Sequence, residues 1–440
     1  MGATQMARNR SPKLLEVRER AKRDPQVRFL SLAHLIDEEA LRRAFDRIRK
    51  AAAVGVDGIS KEQYGQDLEA NLRSLHQRLR SKTWRHQPIR RVYIPKERGQ
   101  ARPIGIASTE DKIVEDAVRE VVEAVYEPIF LDCSYGFRPG RSAHDALRIL
   151  DRVLYQGDVN WILEADIQSF FDSLDRTRLA EMLRERVADG SMLRLIGKCL
   201  HVGILDGAEY SEPGEGTAQG SSLSPLLGNV YLHHVLDLWF ERDVRPRLRG
   251  KALLVRYCDD FVIGFEQEDD AKRVMSVLGR RFERFGLRLH PGKTRLLPFA
   301  RPPVGQTKGK GPATFDFLGF TFFWARSRRG GWVPRLKTRK ARLRRAMVSV
   351  ADWCRRHRHL PVKEQHAALT RRIDGHCNYF GVNGNAGSLA RLIRYAGRAW
   401  RKWLSRRSQR AYLSWPRFTD LLRDFPLPRP TIRVQLWTSP

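Results

Sequence analysis

Acidic residues are in short supply in this chain. Lys and Arg number 81 against 50 Asp and Glu, a formal net charge of +31 over 440 residues. A surface so positive repels itself and attracts polyanions, so nucleic acid is the expected partner and an acidic membrane surface the competing one. Cysteine is sparse as well. Cys133, Cys199, Cys258, Cys354 and Cys377 are scattered, odd in number and without a Cys-x-x-Cys pair. That pattern excludes a disulfide framework and fits a reducing compartment. It also argues against a zinc knuckle or a zinc-bound HNH nuclease, because the nearest cluster, "CRRHRH" from Cys354, lacks a four-ligand spacing. Long apolar runs are missing too, since none approaches the roughly 18 residues that span a bilayer. The opening "MGATQMARNRSPK" has no apolar centre of a signal peptide.

What is present is core-forming. Apolar residues make up 42% of the chain, with 20 Phe and 10 Trp, enough for two to four domains with a sizeable interior. Periodicity predicts largely helical structure over 14–50 and an amphipathic helix in "DLEANLRSLHQRLRSKTW". "IRRVYIPKERGQARPIGIAS" reads as a basic hairpin, and "EDKIVEDAVREVVEAVYEPIF" as a helix. "WILEADIQSFF" reads as a buried strand, followed by an Arg-rich helix from Arg176 to Leu200. From Arg326 to Arg410 there are 24 Lys and Arg against 3 Asp and Glu. A solvated face usually mixes signs, so this imbalance predicts a separate basic helical module that binds polyphosphate.

Two adjacent acids interrupt an apolar run in "LLVRYCDDFVIGF". The flanking β-branched and aromatic residues predict a hairpin with Asp259 and Asp260 at its turn. Asp is also an ordinary turn residue, so a solvated hairpin is the plain alternative. A third acid, Asp166, follows the strand Trp161–Ala165, and a strand-end carboxylate in water is its plain alternative. A buried carboxylate is costly unless paired or bound to metal. Three acids from two segments suit Mg²⁺, which takes one or two protein carboxylates together with substrate phosphates. Such ions serve in-line nucleotidyl transfer.

At these residues the chain resembles a known family. "YCDDFVIGF" is similar to the Tyr-x-Asp-Asp box of reverse transcriptases. It is preceded by "RVYIPKERGQARPIGI", "SYGFRPGRSAHDAL", "DIQSFFD" and "GTAQGSSLSPLLGNVYLH", and followed by "GLRLHPGKT" and "FLGF". That order resembles bacterial group II intron reverse transcriptase/maturases, and "GHCNYFGVNGN", "WRKWLSRRSQ" and "WPRFTDLLRDFPLP" resemble their maturase region. The resemblance implies an α+β right-hand polymerase fold. An N-terminal extension and the start of the fingers would occupy 1–90, and fingers 91–160. An antiparallel palm would occupy 161–325, and a basic helical thumb or maturase domain 326–440. No HNH endonuclease of the kind some members carry is expected in it. The implied activity is RNA-directed DNA synthesis from a DNA or RNA primer and dNTPs, with binding of structured intron RNA to assist splicing and mobility. The alternatives are an intron-independent reverse transcriptase recruited for defence or DNA repair, and a non-enzymatic RNA chaperone. The bacterial resemblance implies a cytoplasmic protein.

The resemblance also implies roles, residue by residue. Asp166 and Asp259 would bridge two Mg²⁺ ions, for which Mn²⁺ could substitute. The Ile167 carbonyl would be a further ligand, with Asp260 beside them. Lys293 would protonate the leaving pyrophosphate; an ordinary loop lysine is the alternative. Lys96 and Arg102 would clamp the triphosphate; otherwise they are solvated hairpin charges. Phe171 would exclude a ribose 2′-hydroxyl; its plain role is core packing. Alternation along an extended strand predicts that Phe170 and Phe171 point to opposite sides. Gln219 and Gly220 would lie against the templating pair, and Phe317, Leu318, Gly319 and Phe320 would form the primer grip. Arg138 and Arg141 are candidates for the template strand. Arg401, Lys402, Arg406, Arg407 and Arg410 are candidates for structured RNA, with Lys402, Arg406 and Arg410 aligned on one helix face. Of Trp400, Trp403 and Trp415, at least one is expected in the module's own core. Two departures from the family pattern are Cys258, where Ala is usual, and Ala218, where Pro is usual; neither removes a ligand.

Overall fold

The computed structural model describes residues 11–95, 101–207, 209–212, 214–217, 220–303, 313–327, 329–408 and 411–437. Lys96, Ala218, Gln219, Arg410 and the Arg102 side chain lie outside what is described. The chain begins with helices α1 (Pro12–Arg23), α2 (Glu38–Arg47), α3 (Lys61–Tyr64) and α4 (Leu68–Arg80). The stretch expected to be helical over 14–50 is broken after Arg23, where Asp24 is extended. It precedes Pro25, which disfavours helical backbone in the residue before it.

Strands β1 (Ile89–Pro95) and β2 (Ala101–Ile106) form the expected antiparallel hairpin. The short strands β4 (Ile204–Asp206) and β5 (Glu209–Ser211) extend it. Helix α5 (Thr109–Tyr126) is capped by Ser108, whose side chain accepts from the Asp111 amide. Val114, Val118, Val121 and Val125 on α5 are fully buried. Helix α6 (Ala143–Gln156) starts with a Ser142/Asp145 capping box and stops at Gly157.

A second sheet, β6–β7–β3–β8, holds the central acids. Its strands are β3 (Trp161–Asp166), β6 (Ala252–Tyr257), β7 (Asp260–Phe265) and β8 (Arg295–Pro298), antiparallel throughout. Both faces are covered, which is why its strands read as nearly continuous apolar runs. Leu163, Leu254, Phe261 and Ile263 join the core shared with α5. Ile162, Val255 and Val262 face the core shared with α6.

The helix expected over 176–200 is two helices, α7 (Arg176–Arg184) and α8 (Gly190–Leu200). Asp189 separates them because its carboxylate caps α8 at the Ser191 and Met192 amides. The same carboxylate accepts from the Leu32 and Ala33 amides at 2.6 and 2.7 Å. Helix α9 (Ser224–Leu232) runs on into π-helical turns at His233–Asp237 and Phe240–Val244, and α10 (Glu268–Glu283) follows β7.

A third sheet orders β11 (Trp332–Thr338), β10 (Phe320–Arg326) and β9 (Phe315–Phe317). Helices α11 (Lys340–Arg356), α12 (Val362–Phe380), α13 (Ala386–Leu404) and α14 (Trp415–Asp424) then surround Cys354, Leu369, Ile373 and Trp400. Trp400 is core, donating to Gln365 Oε1 at 2.9 Å. Trp415 is half exposed. Among the described residues no helix is long and apolar enough to cross a membrane.

Candidate active site

Three chain segments bring the acids together. Asp166 ends β3 and Asp260 begins β7, and the two are direct partners in the antiparallel ladder. Asp260 also faces Tyr257 across the β6–β7 hairpin, leaving Cys258 and Asp259 as its two-residue turn. Cys258 takes a left-handed backbone, φ 58°, a conformation that favours glycine. Beyond Asp166 the chain stays tied to the segment before β8. Gln168 N–H donates to the Arg288 carbonyl, and His290 N–H to the Asp166 carbonyl, both at 2.8 Å. Ile167 bridges Leu289 between them. This tie delivers Lys293, whose Nζ lies 2.7 Å from Asp166 Oδ2.

Asp260 is held from another side. Burial, then the charges of Asp259 and Asp166, push its carboxyl up to about 7, while a hydrogen bond from the Leu318 amide opposes the shift. Leu318 and Gly319 form the β9–β10 turn with φ of 51° and 81°, the pairing of a tight hairpin. The Leu318 carbonyl accepts from Tyr379 Oη at 2.8 Å. Phe317 and Phe320 are buried beneath that turn. The structure therefore brings Asp166, Asp260 and Lys293 together and attaches them to Phe317–Phe320. Among the described residues no group of three or more His, Cys, Asp or Glu is arranged to hold a metal ion unaided. The donor set fits a Mg²⁺ that takes one or two carboxylates and completes its shell with phosphate and water oxygens. Burial is the larger cause of the upward push on Asp260, and the remainder, from Asp259 and Asp166, is a repulsion that a cation would relieve.

Several expectations from the sequence need correction in the folded chain. Phe170 and Phe171 lie in a turn after β3, not on a strand, so alternation does not separate them. Their rings meet edge to face at 5.1 Å. Phe170 is buried and Phe171 only half-buried, and both rings approach Gly228. Gly220 has φ 124°, and a Cβ there would sit 2.2 Å from the Gly105 carbonyl oxygen, so its neighbour is β2 backbone. Arg138 is not available to RNA. It is 6% exposed, forks onto Glu127 at 3.0–3.2 Å and donates to the Leu131 and Ser134 carbonyls. Arg141 stays partly exposed but pairs with Asp132 at 2.5 Å.

The helical alignment of Lys402, Arg406 and Arg410 also fails, because α13 ends at Leu404. Lys402 and Arg406 are nonetheless exposed and flank the same ring, 5.3 and 5.6 Å from the Trp403 centroid. Arg401 lies over Trp415 at 4.1 Å, and Arg407 donates to the Leu360 carbonyl.

Arg256 and Asp237 were not singled out from the sequence. Both are fully buried and paired with each other beside the Cys258–Asp259 turn. The available signal was a lone cation in "LLVRY" and a lone acid in "HHVLDLWF", opposite charges in apolar runs that demand a partner.

Residues 94–322, more than half of the chain and including every acid of the site, match the family model described as reverse transcriptase (RNA-dependent DNA polymerase). The group II intron-encoded protein LtrA of Lactococcus lactis subsp. cremoris is 38% identical over 199 residues, 44% of this chain and 32% of LtrA. The match thus spans about a third of LtrA's length. Protein YkfC of Escherichia coli (strain K12) is 31% identical over 369 residues, covering 75% of this chain and 93% of that protein. An uncharacterized 91 kDa protein in the cob intron of Schizosaccharomyces pombe is 34% identical over 233 residues, 52% of this chain and 28% of that protein. The chain belongs to the reverse transcriptase (RNA-dependent DNA polymerase) family.

Proposed function

We propose that the chain is an RNA-directed DNA polymerase that extends a DNA or RNA primer with dNTPs on an RNA template. We propose further that it binds structured group II intron RNA to assist splicing and mobility, in the cytoplasm of a bacterium. One observation carries the polymerase reading: Asp166 and Asp260 face each other across β3 and β7, with Asp259 at the adjoining turn. In this reading the β1–β2 hairpin belongs to the fingers, the β6–β7–β3–β8 sheet is the palm, and α11–α14 form the thumb.

The family uses divalent metal ions, and Asp166, Asp259 and the Ile167 carbonyl would hold two Mg²⁺, with Mn²⁺ able to substitute. Bound there, the ions would activate the primer 3′-hydroxyl and stabilise the leaving pyrophosphate. Asp260, with the Leu318 amide beside it, would couple the acids to the Phe317–Phe320 turn. That turn would hold the primer strand. Lys293 balances Asp166 in the free protein. With phosphates present, its exposed ammonium would turn to the leaving group as proton donor. Lys96 and Arg102 would grip the triphosphate, and Gln219 would line the templating pair. Phe171 would stand against the sugar C2′. Arg141, Arg401, Lys402, Arg406, Arg407 and Arg410 would contact RNA.

Purified chain incubated with a primed RNA template, dNTPs and Mg²⁺ tests the reading directly. Extension that stops on chelation and needs the RNA template is the expected result. Absence of extension with either Mg²⁺ or Mn²⁺ would refute it.

A further inference from the structure

Beneath the turn that carries Asp259 lies a polar cage in otherwise apolar surroundings. Arg256 and Asp237 both have 0% exposure. The guanidinium forks onto the carboxylate, Nε to Oδ1 at 2.7 Å and Nη2 to Oδ2 at 2.5 Å. Its remaining three N–H groups reach Asn229 Oδ1 at 2.9 Å, Ser134 Oγ at 2.8 Å and the Cys258 carbonyl at 3.1 Å. All five guanidinium donors are therefore used. Asn229 in turn donates to the Gly136 carbonyl at 2.7 Å. The Arg256 backbone is fixed as well, donating to the Cys133 carbonyl and accepting from Tyr135 N–H, each at 2.8 Å. Asp237 reaches this position from the last residue of a π-helical turn, a device that re-aims side chains and recurs at functional sites.

We propose that Arg256 is a positioning residue. It holds the Cys258 carbonyl, and through it the left-handed backbone of Cys258, so that Asp259 and Asp260 keep a fixed separation from Asp166. The proposal rests on the reading of this turn as the polymerase centre. Stability alone is a poor account of the cage, because buried ion pairs are commonly replaced by apolar residues at little cost. What an apolar pair cannot supply is a donor to the Cys258 carbonyl. A displacement near 1 Å at a reacting centre costs on the order of 10²-fold in rate.

The test is the double variant Arg256→Met/Asp237→Leu, which removes both charges together, with Arg256→Lys as a second variant. Each is compared with wild type by thermal unfolding, primer–template binding, single-turnover dNTP incorporation and hydrogen exchange. The double variant should fold and bind primer–template within about threefold of wild type. Its incorporation rate should fall about 100-fold, and amides 257–260 should exchange at least about tenfold faster while those of 161–165 do not change. A folded double variant with wild-type rate and wild-type exchange would overturn the proposal. If the double variant does not fold, Arg256→Lys is read by the same two measurements with the same meaning. If wild type itself does not extend primers, the polymerase reading falls, and exchange at 257–260 alone decides whether Arg256 positions the turn.

Discussion

An alanine at position 136 would place its Cβ 2.5 Å from the Cys258 nitrogen and 2.9 Å from the Tyr257 carbonyl carbon. Both are backbone atoms of the turn that carries Asp259, and ordinary contact begins at 3.4 Å. Something must therefore move by roughly 1 Å, in an interior too densely packed to absorb it. The loop cannot yield easily, because Tyr135 N–H and the Gly136 carbonyl are bonded to Arg256 and Asn229. Overpacking of this kind costs about 1–3 kcal/mol of stability. If the turn moves instead of the loop, incorporation should fall about 10²-fold, about 2.7 kcal/mol in the barrier. Single-turnover incorporation on a primed RNA template, at saturating substrate and well below the variant's melting temperature, separates this loss from unfolding. Gly279→Ala in α10 is the control, since among the described residues its added Cβ meets nothing within 4 Å beyond its own helix backbone. It should leave the rate unchanged and stabilise the helix by up to about 1 kcal/mol. A Gly136→Ala rate within threefold of wild type would refute the idea that the loop and the turn move as one body.

Phe171→Ala should raise ribonucleotide use, because the half-buried ring would no longer block a 2′-hydroxyl; an unchanged ratio of dNTP to rNTP efficiency would assign Phe171 to packing against Phe170 alone. His233 is pushed down to about 2, chiefly by burial and then by the charges of His234 and Arg256. The unfolded chain, with a His pKa of about 6.5, binds the extra proton first, so this residue's contribution to stability is lost as pH falls below about 6.5, by about 2 kcal/mol at pH 5. Asp151 and Asp260, pushed up to about 7, act in the opposite sense. The comparison with His233→Gln therefore isolates the histidine: the variant should lose less stability than wild type between pH 7 and 5, and an identical loss in denaturant melts would contradict the assignment. Replacing Lys402 and Arg406 with Gln should weaken structured-RNA binding and flatten its salt dependence by about 0.7–0.9 in log–log slope per lost phosphate contact. Incorporation on a saturating short primer–template should survive, and an unchanged slope in filter binding would make this a plain solvated surface.

The acids and their strands were legible because the signal is local. An apolar run broken by Asp-Asp and a second run ending in Asp166 each lie within a few residues. The features that escaped depend on distant partners. Arg138 looks like any basic loop residue until Glu127 and four backbone carbonyls close around it. Arg256 and Asp237 stand 19 residues apart and meet only through a π-helical turn. The break at Asp189 was hidden because its carboxylate also caps the chain at Leu32 and Ala33. The alternation expected of Phe170 and Phe171 fails for a different reason: the extended pattern through Asp166 gives no sign that the chain turns at Gln168.

In the proposed function Asp259 is a metal-holding carboxylate of a polymerase. Single-turnover incorporation by Asp259→Ala, measured beside its binding to primed RNA, tests it most directly. Incorporation should be abolished while RNA binding changes little, because affinity would come from the basic surface and the chemistry from the acids. Incorporation within about tenfold of wild type would contradict it.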